Sequence, residues 1–173
     1  MSNIPHDLCS IKAFVLDMDG VISSTISPID KDGMPMRTVN VKDGYAMQYA
    51  IKAGFVICVI SGGFSQAMQH RFEQLGVQYV YMNIKDKKKQ LYEFAKSSGI
   101  DTSQMAYIGD DIPDICVMNE VGLPCAPNDA VSEVKSISKY ISIYNGGHGV
   151  VRDVIEQTLK AQRKWSKGEG FGW

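Results

Sequence analysis

Two short runs, residues 11–16 and 55–60, are apolar at nearly every position, and this pattern constrains the fold more than any other feature of the chain. A strand with one wet face alternates apolar and polar residues. A run without alternation belongs to a strand covered on both faces, as in a parallel sheet between layers of helices. Shorter strand candidates follow at 77–81, 105–108 and 140–143. Segments with helical spacing separate them, at 45–53, 64–75, 87–98, 112–121, 129–136 and 150–162. Gly54, Gly76, Gly99 and Gly122 follow several of these segments, where a left-handed helix end favours a residue without Cβ. Strands alternating with helices predict a doubly wound, Rossmann-like α/β fold with right-handed crossovers. In such sheets the reactive groups gather at the carboxyl ends of the strands.

A chain of 173 residues fits one ordinary domain, expected over 1–165, followed by a flexible glycine-rich tail over 166–173. Segment 21–41 breaks the strand–helix rhythm with Pro28, Gly33 and Pro35. It predicts a β-hairpin flap above the sheet, with a plain surface loop as the alternative. The net charge of −1 gives no global attraction to nucleic acid or an anionic membrane, so a small-molecule partner is expected. No stretch approaches the ~18 apolar residues of a membrane span, and residues 1–10 lack a signal-peptide pattern, which makes the cytoplasm the expected compartment. Cys9, Cys58, Cys116 and Cys125 form no CxxC pair. The last three have apolar neighbours and are expected to be reduced, structural thiols.

Four polar clusters each fall just after a predicted strand. Asp17-Met18-Asp19-Gly20 delivers two carboxylates at i and i+2, on one side of an extended chain, so that one can attack while the other handles a proton. Ser61-Gly62-Gly63 opens a helix with a hydroxyl and free N–H groups, a setting that suits an anion. From the basic run 85–89, Lys87 is expected to enter the site by its place relative to the following helix, and one ammonium there would neutralise phosphate and carboxylates. Asp110, Asp111 and Asp114 crowd three carboxylates into five residues, an arrangement that is costly without a cation. Hard oxygens without His or Cys beside them suit Mg²⁺. Each cluster alone has a plainer reading: an Asp-Gly turn, a capped helix start, a solvated basic face, an acidic first turn. Their order, each after a strand, points to convergence on one sheet edge.

These motifs resemble those of the haloacid dehalogenase superfamily phosphatases over nearly the whole chain. The matching residues are Asp17-Met18-Asp19-Gly20-Val21, Ser61, Lys87 and Gly109-Asp110-Asp111 with Asp114. The phrases at 40–45, 107–111 and 146–152, and Arg71 with 75–77, are similar to the capless subfamily of 3-deoxy-D-manno-octulosonate 8-phosphate phosphatases and their sialic-acid-type relatives. The resemblance implies Asp17 as nucleophile forming an aspartyl phosphate, and Asp19 as general acid and base. It implies Mg²⁺ held by Asp17, the Asp19 carbonyl and Asp110, with Asp111 and Asp114 in support, and phosphate held by Ser61 and Lys87. It further implies a phosphorylated sugar-acid substrate and a homotetramer formed through the flaps. Two departures bear on the substrate: Gly63 stands where such relatives commonly carry Arg, and 21–25 departs from their usual turn. A nine-carbon keto-acid 9-phosphate or another sugar phosphate is the alternative substrate. A receiver-like module or an inactive assembly subunit is the non-enzymatic alternative. His148 is a further candidate for lining the site.

Overall fold

Side-chain alternation along the central strands divides the core into two layers. In β1 (Ala13–Leu16), Phe14 and Leu16 enter one layer while Ala13 and Val15 enter the other. In β2 (Val56–Ile60), Ile57 and Val59 join the first and Cys58 and Ile60 the second. The first layer receives Leu8 of α1 (Ile4–Ser10), Met47 of α2 (Val41–Lys52), Phe72 of α3 (Gln66–Gln74) and Val154 of α7 (Val150–Ala161). The second receives Phe94 of α4 (Lys87–Ser98), Val117 of α5 (Ile115–Met118) and Val134 of α6 (Ser132–Ile137). Each large apolar side chain removed from water in this way contributes ~1.5–3 kcal/mol before conformational entropy is set against it.

The computed structural model describes residues 4–165. With β3 (Tyr79–Tyr81), β4 (Met105–Ile108), β5 (Leu123–Ala126) and β6 (Tyr140–Ile141), the strands form one sheet in the order β3-β2-β1-β4-β5-β6, every pairing parallel. The order reverses between β1 and β4, whose registers match Leu16 with Ile108. Residues that follow those two strands therefore meet at the switch point of the sheet, where ligands bind in doubly wound folds. No helix among the described residues is long and apolar enough to cross a membrane.

Some sequence expectations need correction. β5 and α1 leave no pattern in the sequence, and β6 is shorter than 140–143. β5 escapes a pattern search because Pro124 interrupts it, yet all four of its residues are buried. Gly54, Gly76 and Gly99 do take positive φ, but Gly122 does not. It is glycine because a Cβ there would lie 1.9 Å from the Ser103 carbonyl oxygen. Cys58 and Cys125 are buried as expected; Cys116 is exposed, because it lies on the outer side of the short α5.

The flap folds back as predicted but carries only one antiparallel bridge, Ile29 to Pro35. Met36 N–H donates to Pro28 O at 2.8 Å and Asp30 N–H to Met34 O at 2.9 Å. Pro28 and Pro35 have no N–H to extend this into a ladder. The tail over 166–173 lies outside the described residues.

Candidate active site

Asp17 directly follows β1, where its backbone N–H still continues the sheet by donating to Ile108 O at 3.1 Å. Its Oδ1 accepts from Met18 N–H at 2.7 Å and from Lys87 Nζ at 3.0 Å. Lys87 opens α4, whose start is capped by Asp86 accepting from Lys89 N–H, and the lysine stem is buried while Lys85, Lys88 and Lys89 are exposed. The same ammonium donates to Asp114 Oδ1 at 2.8 Å. Asp114 Oδ1 also accepts from Tyr107 Oη at 2.7 Å, and its Oδ2 from Asp110 N–H at 3.0 Å. Asp114 thus orients Lys87 and the Asp110 backbone, which leaves it little capacity to bind anything else. Its carboxylate nevertheless lies close to the others: one oxygen each of Asp17, Asp110 and Asp114 falls within 4.8 Å of the rest.

Glycines make this crowding possible. Gly20 turns the chain at φ +86°, and a Cβ there would stand 1.9 Å from Asp110 Oδ2. The 146–149 loop supports the same turn from below: a Cβ on Gly146 would meet Gly20 O at 1.9 Å, and Gly147 N–H donates to Val21 O at 2.8 Å. Ser61, 1% exposed, follows β2, and its Oγ accepts from Gly63 N–H at 3.1 Å. Asp17, Gly20, Ser61, Lys87, Asp110 and Asp114, with Asp19 and Asp111, line one cavity of about 570 Å³ roofed by flap residues Thr25, Ile29 and Pro35.

Among the described residues the charges of the site do not balance. Burial first, then the Asp114 charge, pushes the Asp17 carboxyl up to about 7 although Lys87 pulls the other way. Burial, then Asp17, Asp114 and Asp111, pushes Asp110 up to about 8. Burial draws Lys87 down, but Asp17 and Asp114 outweigh it and leave the ammonium above its ordinary value. Among the described residues Asp17, Asp110, Asp111 and Asp114 share the one ammonium of Lys87, so the donor set suits a small, hard divalent cation that would allow the carboxylates to ionise together.

Comparison with known proteins agrees with this geometry. Residues 80–154 match the haloacid dehalogenase-like hydrolase family. Over 94% of this chain and 87% of the relative, the sequence is 31% identical to 3-deoxy-D-manno-octulosonate 8-phosphate phosphatase of Yersinia pestis. The chain belongs to the haloacid dehalogenase-like hydrolases. It is an enzyme of that family, and solved structures agree. The phosphatase of Moraxella catarrhalis, solved with magnesium, phosphate and the sugar acid, superposes with a TM-score of 0.90 at 32% identity, covering 95% of each chain. The cobalt-bound phosphatase of Haemophilus influenzae gives 0.88 at 28% identity, covering 91% of this chain and 92% of that one.

In this hydrolase the predicted residues Asp17, Asp19, Ser61, Lys87, Asp110, Asp111 and Asp114 all line one cavity. His148 does not join them. Its Nδ1 lies 2.7 Å from Gly146 O, and the ring faces a second cavity with Asn40, Lys42 and Arg152. Trp165 packs on Tyr49, with ring centroids 4.7 Å apart. Two residues were missed. Tyr107 fixes Asp114, and the signal was its odd position in the layer of α4, since a buried phenol needs an acceptor. Arg37 reaches from the flap to Asp19, with Nε to Oδ1 and Nη2 to Oδ2 both 3.0 Å. Its signal was the vacancy at Gly63.

Proposed function

We propose that the chain is a Mg²⁺-dependent phosphomonoester hydrolase working through an aspartyl phosphate. The observation that carries the reading is the Asp17 carboxylate at the sheet's switch point, 3.0 Å from a buried ammonium and within 4.8 Å of two further carboxylates. Asp17 attacks phosphorus in line, so that a bond forms to its carboxylate oxygen as the ester O–P bond breaks. Asp19 gives its proton to the departing alkoxide. It then takes one from the water that attacks phosphorus and frees Asp17. Asp19 suits both steps because its side chain is 48% exposed and lines the cavity. Lys87 and the Ser61 hydroxyl hold the phosphoryl oxygens while charge spreads over them. Asp17, the Asp19 carbonyl and Asp110 would hold Mg²⁺, which supplies Lewis-acid neutralisation of the phosphoryl group; Asp111 and Asp114 support them.

The substrate favoured by the relatives' activity is a 3-deoxy-2-keto sugar-acid phosphate such as 3-deoxy-D-manno-octulosonate 8-phosphate, and a cavity of about 570 Å³ has room for it. A homotetramer formed through the flaps completes the proposal, supported by the exposed apolar flap residues Ile26, Ile29, Met34, Met36 and Val39. The test is phosphate release, with and without Mg²⁺, from that ester, a nine-carbon keto-acid 9-phosphate and hexose phosphates, with Asp17→Asn as control. Rapid Mg²⁺-dependent turnover of the eight-carbon ester, abolished by Asp17→Asn, is expected. Turnover confined to other esters would reject the substrate, and turnover surviving Asp17→Asn would reject the mechanism.

A further inference from the structure

Gly63, in the loop after β2, leaves a space that a side chain from elsewhere in the chain occupies. A Cβ built on Gly63 would stand 2.5 Å from Arg37 Nη2 and 3.1 Å from Asp19 Oδ2. The volume a side chain would take at 63 is filled by the guanidinium of Arg37. That guanidinium grips both oxygens of Asp19 and donates from Nη1 to Phe64 O at 2.8 Å. The Arg37 side chain is only 7% exposed, although the flap around it is largely in solvent. A planar fork matched to a carboxylate fixes direction as well as charge, which an ammonium cannot do.

We propose that Arg37 is the positioning residue of the acid–base carboxylate: reaching from the flap across the space left by Gly63, it orients Asp19 for proton transfer to the leaving group. Arg37 itself does not line the cavity, so it acts through Asp19. Each Asp19 oxygen gives one lone pair to the fork and keeps another for the proton it passes. The fork and the Phe64 carbonyl bond join the flap to the loop after β2. Flap placement and acid–base geometry are therefore one arrangement, with glycine at 63 as its steric condition.

The inference rests on Asp19 being the general acid, and leaving groups separate the two claims. An alkoxide needs a proton to depart, whereas p-nitrophenolate does not. The readout is kcat/KM, which covers steps up to ester cleavage, for an alkyl phosphomonoester substrate and for p-nitrophenyl phosphate. Asp19→Asn serves as the reference. Arg37→Ala should lower the alkyl value by about 10²-fold, the low end of general-acid catalysis, and leave the aryl value little changed. Arg37→Lys should fall between Arg37→Ala and wild type. Gly63→Ala, which crowds the guanidinium, should reproduce the alkyl-selective loss. Equal losses on both esters for Arg37→Ala, or no loss, would overturn the positioning role. An Asp19→Asn variant without the alkyl-selective loss would instead overturn the general-acid reading, and the proposal with it.

Discussion

The carboxyl edge of the sheet and the flap above it are built by opposite means. At the edge, Asp17, Ser61, Lys87 and Asp114 are buried, and their partners come from β4, α4, the turns after β1 and β2 and the turn before α5. In the flap, Ile26 is 86% exposed and a single bridge closes the turn. Groups that must hold ångström-scale geometry sit on elements fixed by two packed layers. The segment above them is held more lightly, through Arg37, the hydrogen bonds of Thr38 with Ser23 and Ser24, and a few backbone bonds. On the proposed mechanism the phosphoryl chemistry belongs to the frame, and the flap contributes Arg37, which positions the acid–base carboxylate.

The largest effect should come from the edge. Asp17→Asn should lower kcat by at least ~10³-fold, as expected when a nucleophile is removed, with little change in thermal stability; retention of substantial activity would put the chemistry elsewhere. Asp114→Ala removes the acceptor for Lys87, Tyr107 and the Asp110 N–H together. Breaking a buried ion pair from one side should destabilise the protein by ~3–5 kcal/mol in denaturant titration. A loss below ~1 kcal/mol, the level of an exposed pair, would remove the distinction between frame and flap.

A pH series sharpens the same contrast. With Asp17 at about 7 and Asp110 at about 8, the metal-free folded state binds more protons than the unfolded chain, whose carboxylates titrate near ~4. Between those limits, stability without Mg²⁺ should fall as pH rises. Mg²⁺ competes with those protons, so the Tm gain on adding it should grow from pH ~5 to ~8. A gain independent of pH would place the cation away from these carboxylates. The smallest effect belongs to the flap: Ile29→Ser should change the unfolding free energy by no more than ~0.5 kcal/mol, while sedimentation should show a species lighter than the wild type; an unchanged sedimentation coefficient would count against association through the flaps.

What was legible in the sequence follows the same division. β1, β2 and β4 are visible as apolar runs because both of their faces are covered, and the clusters after them could be ordered into one site. Lys87 was separable from Lys85, Lys88 and Lys89 by its place at the start of a helix. β5 was hidden because Pro124 and the steric demand at Gly122 look like loop chemistry when the neighbouring strands are not in view. Arg37 was hidden for a different reason. Its partner Asp19 is near in sequence, but the space it fills is defined by Gly63, and only the folded flap brings the two together. The absence of a side chain at Gly63 was the one available sign.

The central claim is that Asp17 carries the phosphoryl group. The direct measurement is rapid acid quench of the enzyme during turnover of a ³²P-labelled phosphomonoester with Mg²⁺, followed by peptide mapping. The label should appear on the peptide containing Asp17 and be absent from Asp17→Asn. Mg²⁺-dependent phosphate release with no labelled peptide, or with label on another residue, would contradict the account.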